Sequence, residues 1–235
     1  MAITAALLTS GVDATDATSY ATASITPSAN QLIIALVGLE RTSTPLANDA
    51  LLTGNGLTWV SVATVTYQTV ASPLRRLSMF RTMGASPTTG AVTITPDPAQ
   101  TAHGATWTIT EFDGVDTGGT NGSAAVVQSA TNNVDTPATT LTVTLAAFGS
   151  ADNGTYGTFA QGGSQTITPG TGFTELAEIA PANGLAMNTE WRNDNDTTVD
   201  ASWAVGTLCG GIAIEIKFAA AGGATTPLRT LLGVG

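Results

Sequence analysis

The hydrophobic and polar positions of this chain alternate over short stretches, and almost none carries the three-to-four-residue spacing of an amphipathic helix. The clearest alternation is TTLTVTLAAF (139–148), where Leu141, Val143 and Leu145 oppose Thr140, Thr142 and Thr144 and predict a half-buried strand. GIAIEIKF (211–218) repeats the pattern, with Ile212, Ile214, Ile216 and Phe218 expected inward and Glu215 and Lys217 outward. NQLIIALVGLE (30–40) is instead a continuous apolar run of branched residues, which predicts a central strand covered on both faces. In LTWVSVATVTYQTV (57–70), Trp59, Val65 and Tyr67 fall on one parity and Val60 and Val62 on the other, so both faces are again expected to be covered.

RRLSMFRT (75–82) and GAVTITP (90–96), the latter with Val92 and Ile94 inward, read as strands placed to pair as neighbours. TWTITEF (106–112), LAMNTEWR (185–192) and VDASWAV (199–205) add further strands. AAVVQSATNN (124–133) reads as an edge-like strand running into a polar turn, and the Gly-rich stretch 149–173 as a loop with a short strand at most. About ten short strands separated by turn signals predict an all-β chain, an antiparallel β-sandwich of jelly-roll-like character. The expected organisation is a single sandwich domain over 1–218 with an N-terminal arm (Ile3, Leu7, Leu8), followed over 219–235 by a small-residue linker and an apolar tail. That tail, with Leu228, Leu231 and Leu232, reads equally as a docking peptide or a frayed terminus.

Charge narrows the partners. Seven Lys plus Arg stand against seventeen Asp plus Glu, a formal net charge of −10, which repels phosphate backbones and anionic membrane surfaces. Neither nucleic acid nor a membrane is expected as a partner. The single cysteine, Cys209, excludes an intrachain disulfide and a cysteine metal cluster, and reads as a small buried residue. The N-terminal MAITAALLTSGVDA lacks the basic region and apolar length of a secretory signal, and no run reaches the roughly 18 apolar residues of a membrane span. The Thr-, Ser- and Gly-rich composition has an extracellular character, yet it comes without an export signal or a disulfide. A virion protein, made in bacterial cytoplasm and released by lysis, reconciles the two.

The candidate chemistry centres on TEFDGVDTGG (110–119), which places Glu111, Asp113 and Asp116 within six positions of a chain that is only 10% charged. Asp113 and Asp116 flank Gly114, where short acceptor side chains bond the local backbone of a turn. Calcium needs six or more oxygens, so these residues are candidate ligands only if RNDNDTTVD (192–200), with Asp194, Asp196 and Asp200, lies beside them. Among catalytic groups, His103 is the single histidine and sits in a polar loop, with no G-x-S-x-G element to support a hydrolytic triad. Glu111, Asp113, Glu175, Glu178 and Glu190 are candidates for a two-carboxylate glycosidase, but nothing selects a pair. The expectation is no enzyme and no cofactor. QGGSQ (161–165) does not join a strand to a helix and so gives no phosphate loop. Arg75, Arg76 and Arg81, three of the seven basic residues, are candidates for contact with a neighbouring subunit or for a solvated salt-bridge patch. The sequons at Asn121, Asn153 and Asn195 read as turn chemistry.

DATSYATASITPSANQLIIALVGLE, GNGLTWVSVATV, RLSMFRT and WTITEFDGV together resemble β-sandwich virion surface proteins of tailed bacteriophages and their prophages. The resemblance implies a decoration, cement or fibre subunit, often a homotrimer, partnered by the major capsid protein or other virion subunits at the virion surface. It carries no catalytic residue across. The expected function is a capsid decoration subunit whose contacts are the N-terminal arm and the C-terminal leucines. The alternative is a carbohydrate-binding adhesin on a tail fibre, with Trp191, Trp203 or Tyr156 exposed to stack on sugar. A weaker alternative is a glycan-cleaving enzyme.

Overall fold

The computed structural model describes residues 2–41, 48–68, 74–96, 100–180 and 184–219. The expected contacts Leu228, Leu231 and Leu232 lie outside the described residues. Those described are all-β, and none of their elements is a helix long and apolar enough to cross a membrane. Strands are numbered in chain order, and every pairing between them is antiparallel.

The amino-terminal half builds the first sheet from β1 (Thr4–Asp13), β3 (Leu32–Arg41), β5 (Val60–Tyr67), β6 (Leu74–Thr82) and β8 (Gly104–Asp113), in the order β1-β8-β3-β6-β5. The carboxy-terminal half builds the second from β9 (Val126–Thr144), β10 (Gly154–Gln161), β11 (Thr168–Pro169), β12 (Thr174–Ile179), β13 (Ala186–Arg192) and β14 (Thr198–Ile216). Its order is β11-β14-β10-β13-β12, with β9 also paired to β14. A small third sheet joins β2 (Tyr20–Ala21), β7 (Thr93–Thr95) and β4 (Leu51–Thr53).

The alternation of side chains along each strand creates three cores. Leu32, Ile34 and Leu36 of β3 meet Ile212, Ile214 and Ile216 of β14 in the space between the two main sheets. The opposite parity of β3, Ile33, Ala35, Val37 and Leu39, packs with Trp107 and Ile109 of β8 beneath the small sheet's Tyr20, Leu52 and Ile94. A strand between two cores needs apolar residues at every position, which is why 30–40 carries no alternation. Full burial of a side chain such as Ile33 or Ile34 contributes about 1.5–3 kcal/mol. The third core lies on the outer side of the second sheet. There the 19-residue strands β9 and β14 shift register between Ser202 and Thr207, and Leu141, Val143, Val199 and Trp203 pack with Phe159 of β10.

Several expectations are corrected. GAVTITP does not pair with RRLSMFRT: β7 pairs with β2 and β4 instead. The stretch 124–148 keeps its edge position but is not two strands joined by a turn, because β9 runs unbroken through the polar Asn132, Asn133 and Asp135. The presumed loop 149–173 contains β10, buried along its whole length. Its signal was hidden because Tyr156 points into the inter-sheet core and Phe159 into the outer one, three residues apart among small residues. A Cβ on Gly157 would run into Val199 Cγ1, so glycine is what lets β14 approach this strand. Glu215 is buried rather than outward, since both faces of β14 are covered at its carboxy-terminal end. Nor do the first residues form a free arm. Ile3 is buried in the inter-sheet core and residues 4–13 are β1, whose Leu7 is exposed and Leu8 half-buried.

Candidate functional site

Strand β8 ends at Asp113, and the turn after it spends the acidic residues of TEFDGVDTGG on structure. Asp113 Oδ1 accepts from Gly114 N at 2.6 Å and from Gln31 Nε2 at 2.9 Å. The Gln31 and Gly114 bonds together hold the Asp113 carboxyl below its ordinary range. Asp116 Oδ2 lies 2.7 Å from Lys217 Nζ and Asp116 Oδ1 accepts from Gly118 N, which lowers its pKa as well. Glu111 Oε2 accepts the Ser28 N–H at 2.6 Å. Gly114 itself has a φ of +73°, the left-handed conformation that glycine adopts without cost.

This turn stands beside a groove of about 820 Å³ at the end of the second sheet. Val126 and Val127 of β9 and Phe218 give it apolar surface, with Ser150 and Asp152 on its rim and Glu215 and Lys217 from the end of β14. Glu215 is 1% exposed, and each of its carboxylate oxygens is gripped: Oε1 accepts from Asn153 Nδ2 at 2.5 Å and Oε2 from Gln128 Nε2 at 2.6 Å. Asn153 Oδ1 in turn accepts the Phe218 N–H at 3.0 Å, and Ala219 N donates to Gly114 O at 2.9 Å. The polar network therefore fixes the path on which the chain leaves the sandwich. The result is a preformed cleft, apolar on its walls and acidic at its floor, into which Val127 stands 51% exposed.

The second acidic stretch goes elsewhere. Arg192 forms ion pairs with Asp194 Oδ2 at 2.6 Å and Asp196 Oδ2 at 2.7 Å, and its guanidinium lies over the Phe173 ring. Among the described residues, no three His, Cys, Asp or Glu side chains converge closely enough to hold a metal ion. The structure thus does not gather Asp113, Asp116, Asp194 and Asp196 into one calcium site. Asp200 lies instead against Gly170, where an added Cβ would meet its Oδ1 at 2.9 Å.

The glycosidase candidates separate in the same way. Glu190 on β13 is fully buried, Glu175 opposite it on β12 is exposed, and Glu178 accepts the Ile167 N–H at 2.7 Å. Burial pushes the Glu190 carboxyl up to about 8, against a lowering bond from Gly170 N and with Asp200 and Glu175 adding repulsion. Glu190 Oε1 and Asn188 Oδ1 have no hydrogen-bond partner among the described residues. A carboxyl that carries a proton at neutral pH has the protonation of a general acid, but this one has no exposed surface and its Oε2 accepts from Gly170 N. His103 Nδ1 lies 2.8 Å from Asp16 Oδ1 at the surface, and burial raises the Cys209 thiol to about 11.

Each of the three arginines is engaged within the chain. Arg75 is 3% exposed and bound to Glu40 and Gln68; Arg76 binds Asp49; and Arg81 donates to the carbonyl oxygens of Thr120 and Asn121. Asp49 also accepts from Ser61 and Thr64, and these bonds outweigh the upward push of burial to leave its pKa lowered. Two of the three sugar-stacking candidates are packed inside: Tyr156 is fully buried with its ring 5.1 Å from that of Phe112, and Trp203 is 5% exposed with Nε1 bonded to Ala138 O, whereas Trp191 is half-buried. The groove was missed in the sequence because Glu215 reads as a solvated position and Val127 as an ordinary edge residue. Comparison of the chain with family models, with curated proteins and with solved structures finds no match.

Proposed function

We propose that this chain is a bacteriophage virion structural protein, a capsid decoration or cement subunit that binds the shell and reinforces it. One observation carries the reading: a long strand edge left open without the charges that normally blunt one. None of residues 126–140 of β9 is buried, β9 pairs on one side alone among the described residues, and Asp135 is its single charged side chain. β1, likewise paired on one side, carries Asp13 alone, with Leu7 and Val12 exposed. Isolated monomers commonly blunt such edges with Lys or inward charges, whereas a subunit built for lateral contact presents them to neighbours. Pro137 and the shift of register at Leu8 interrupt the two edges locally and set which segment pairs.

A three-core body, with Asp113, Asp116, Asp194 and Asp196 held in local hydrogen bonds and ion pairs, suits a part that must stay rigid in an assembly rather than one that turns over a substrate. The partner in this reading is the shell or another virion subunit, and the protein itself is a homo-oligomer, a trimer by the resemblance of its sequence. Gold-labelled antibody imaging of particles from the source tests it. Label spread over the heads is the expected result. Label confined to tail tips transfers the protein to a host-binding fibre, and absence from particles removes the virion assignment.

A further inference from the structure

We propose that the groove between β9 and the end of β14 is the docking site for this chain's own carboxy-terminal segment, residues 227–234. The inference does not rest on the virion reading. Three observations support it. The first is position: Lys217 and Phe218 line the groove, and the Ala219 N–H bond to Gly114 O delivers the chain at its rim. From Ala219, nine residues lead to Leu228, a reach of about 30 Å when extended, and Gly222 and Gly223 in that spacer permit the reversal needed to return.

The second is chemical complementarity. PLRTLLGV offers Leu228, Leu231, Leu232 and Val234 with a single charge, Arg229. The groove offers Val126, Val127, Ala124 and Phe218 as apolar surface, with the carboxylates of Glu215 and Asp152 beside them. Among the described lining residues Lys217 is the one cation and is paired to Asp116, and Glu215 is buried, so Asp152 is the exposed carboxylate available to the incoming arginine. The third is size, since about 820 Å³ accommodates a few apolar side chains, within the range of sites that enclose a compact ligand. Own-chain docking is favoured over a second copy's tail because a tether this short holds the segment at an effective concentration on the order of millimolar. Covering Val127 this way removes apolar surface that is otherwise 51% exposed next to an open strand edge.

The test uses the full chain with the photo-crosslinking residue benzoylphenylalanine at position 127, irradiated as a mixture of isotopically heavy and light chains and mapped by mass spectrometry. The expected product joins position 127 to residues 227–234 within one isotopic chain, and Leu231→Asp with Leu232→Asp lowers its yield about tenfold or more. Arg229→Glu is expected to lower it less. Circular dichroism and the melting temperature confirm that each variant is folded. Heavy-to-light products would overturn the proposal by assigning the groove to a second copy. Crosslinks to other surfaces alone, no crosslink in a folded chain, or a yield indifferent to the leucines would also overturn it. Virion imaging leaves this result untouched, so the two readings fail separately.

Discussion

Arg75 Nη2 lies 2.9 Å from Glu40 Oε2, with the two side chains 3% and 11% exposed. They join neighbouring strands, β6 and β3, and the guanidinium also reaches the second sheet's connecting segments: an added Cβ would meet it 3.0 Å away at both Gly162 and Gly184. Removing one member of such a pair leaves a buried charge unpartnered, which costs about 3–5 kcal/mol, whereas replacing both by apolar groups is far less damaging. Arg75→Ala is therefore expected to lower the urea midpoint strongly, and Arg75→Met combined with Glu40→Met to recover much of the loss. A double-mutant cycle from denaturation curves measures this. A cost below about 1 kcal/mol for Arg75→Ala would show the pair to be solvated after all.

Glu190 predicts the pH dependence. Its carboxyl titrates near pH 8 in the folded protein and near 4.5 in the ordinary state, so between these values the folded chain holds a proton that the unfolded chain has lost. Stability from this group is fully present below about pH 4.5 and is lost as the pH rises through 8, by an amount on the order of a few kcal/mol. The lowered carboxyls of Asp13, Asp49, Asp113 and Asp116 act with the opposite sign and are lost below their ordinary range near 3.8. The melting temperature is therefore expected to peak in mildly acidic solution and fall toward pH 8.5. Glu190→Gln should flatten that fall. An equal decline in the variant would place the responsible group elsewhere.

Two stretches, one in each main sheet, were legible because their patterns have one physical cause each. Continuous apolar residues in 32–39 mean two covered faces, and the alternation at Leu141, Val143 and Leu145 means one. Legibility failed where glycine and threonine do the packing. Tyr156, Gly157 and Phe159 show no period because β10 serves two cores, and Asn132 to Asp135 suggest a turn although the long partner strand β14 keeps them extended. Among the candidate residues, the turn role of Asp113 and Asp116 could be inferred from Gly114. The inward placement of Glu215 could not, because the Asn153 and Gln128 amides that hold it lie 62 and 87 residues away. Contacts of that range leave no local trace in a sequence.

The turn after β8 is predicted to be intolerant of side chains. Gly114 has a left-handed φ, and a Cβ there would sit 2.7 Å from Ala2 O. Gly114→Ala therefore combines backbone strain with a clash against backbone, and a loss of about 1–3 kcal/mol is expected. Because Gly114 O also receives the Ala219 N–H, the variant should speed amide exchange at Ala219, which hydrogen-exchange mass spectrometry reads. A variant as stable as the parent would mean the amino-terminal residues shift aside freely.

The open edge of β9 gives the prediction closest to function. Thr131 is exposed and opposes Ile212 of β14, leaving its other side toward solvent. A lysine there adds charge to an edge that has one acid in 19 residues, and exposed substitutions of this kind change folding stability by about 0.5 kcal/mol or less. If lateral contact through β9 builds the oligomer, Thr131→Lys should shift sedimentation from the assembled species toward the monomer while the melting temperature holds. Leu7→Lys on β1 provides the matching probe of the opposite edge. Loss of assembly in one variant and not the other identifies which strand makes the contact. An unchanged profile in both would take the strand edges out of the assembly and leave contact to the sheet faces and loops.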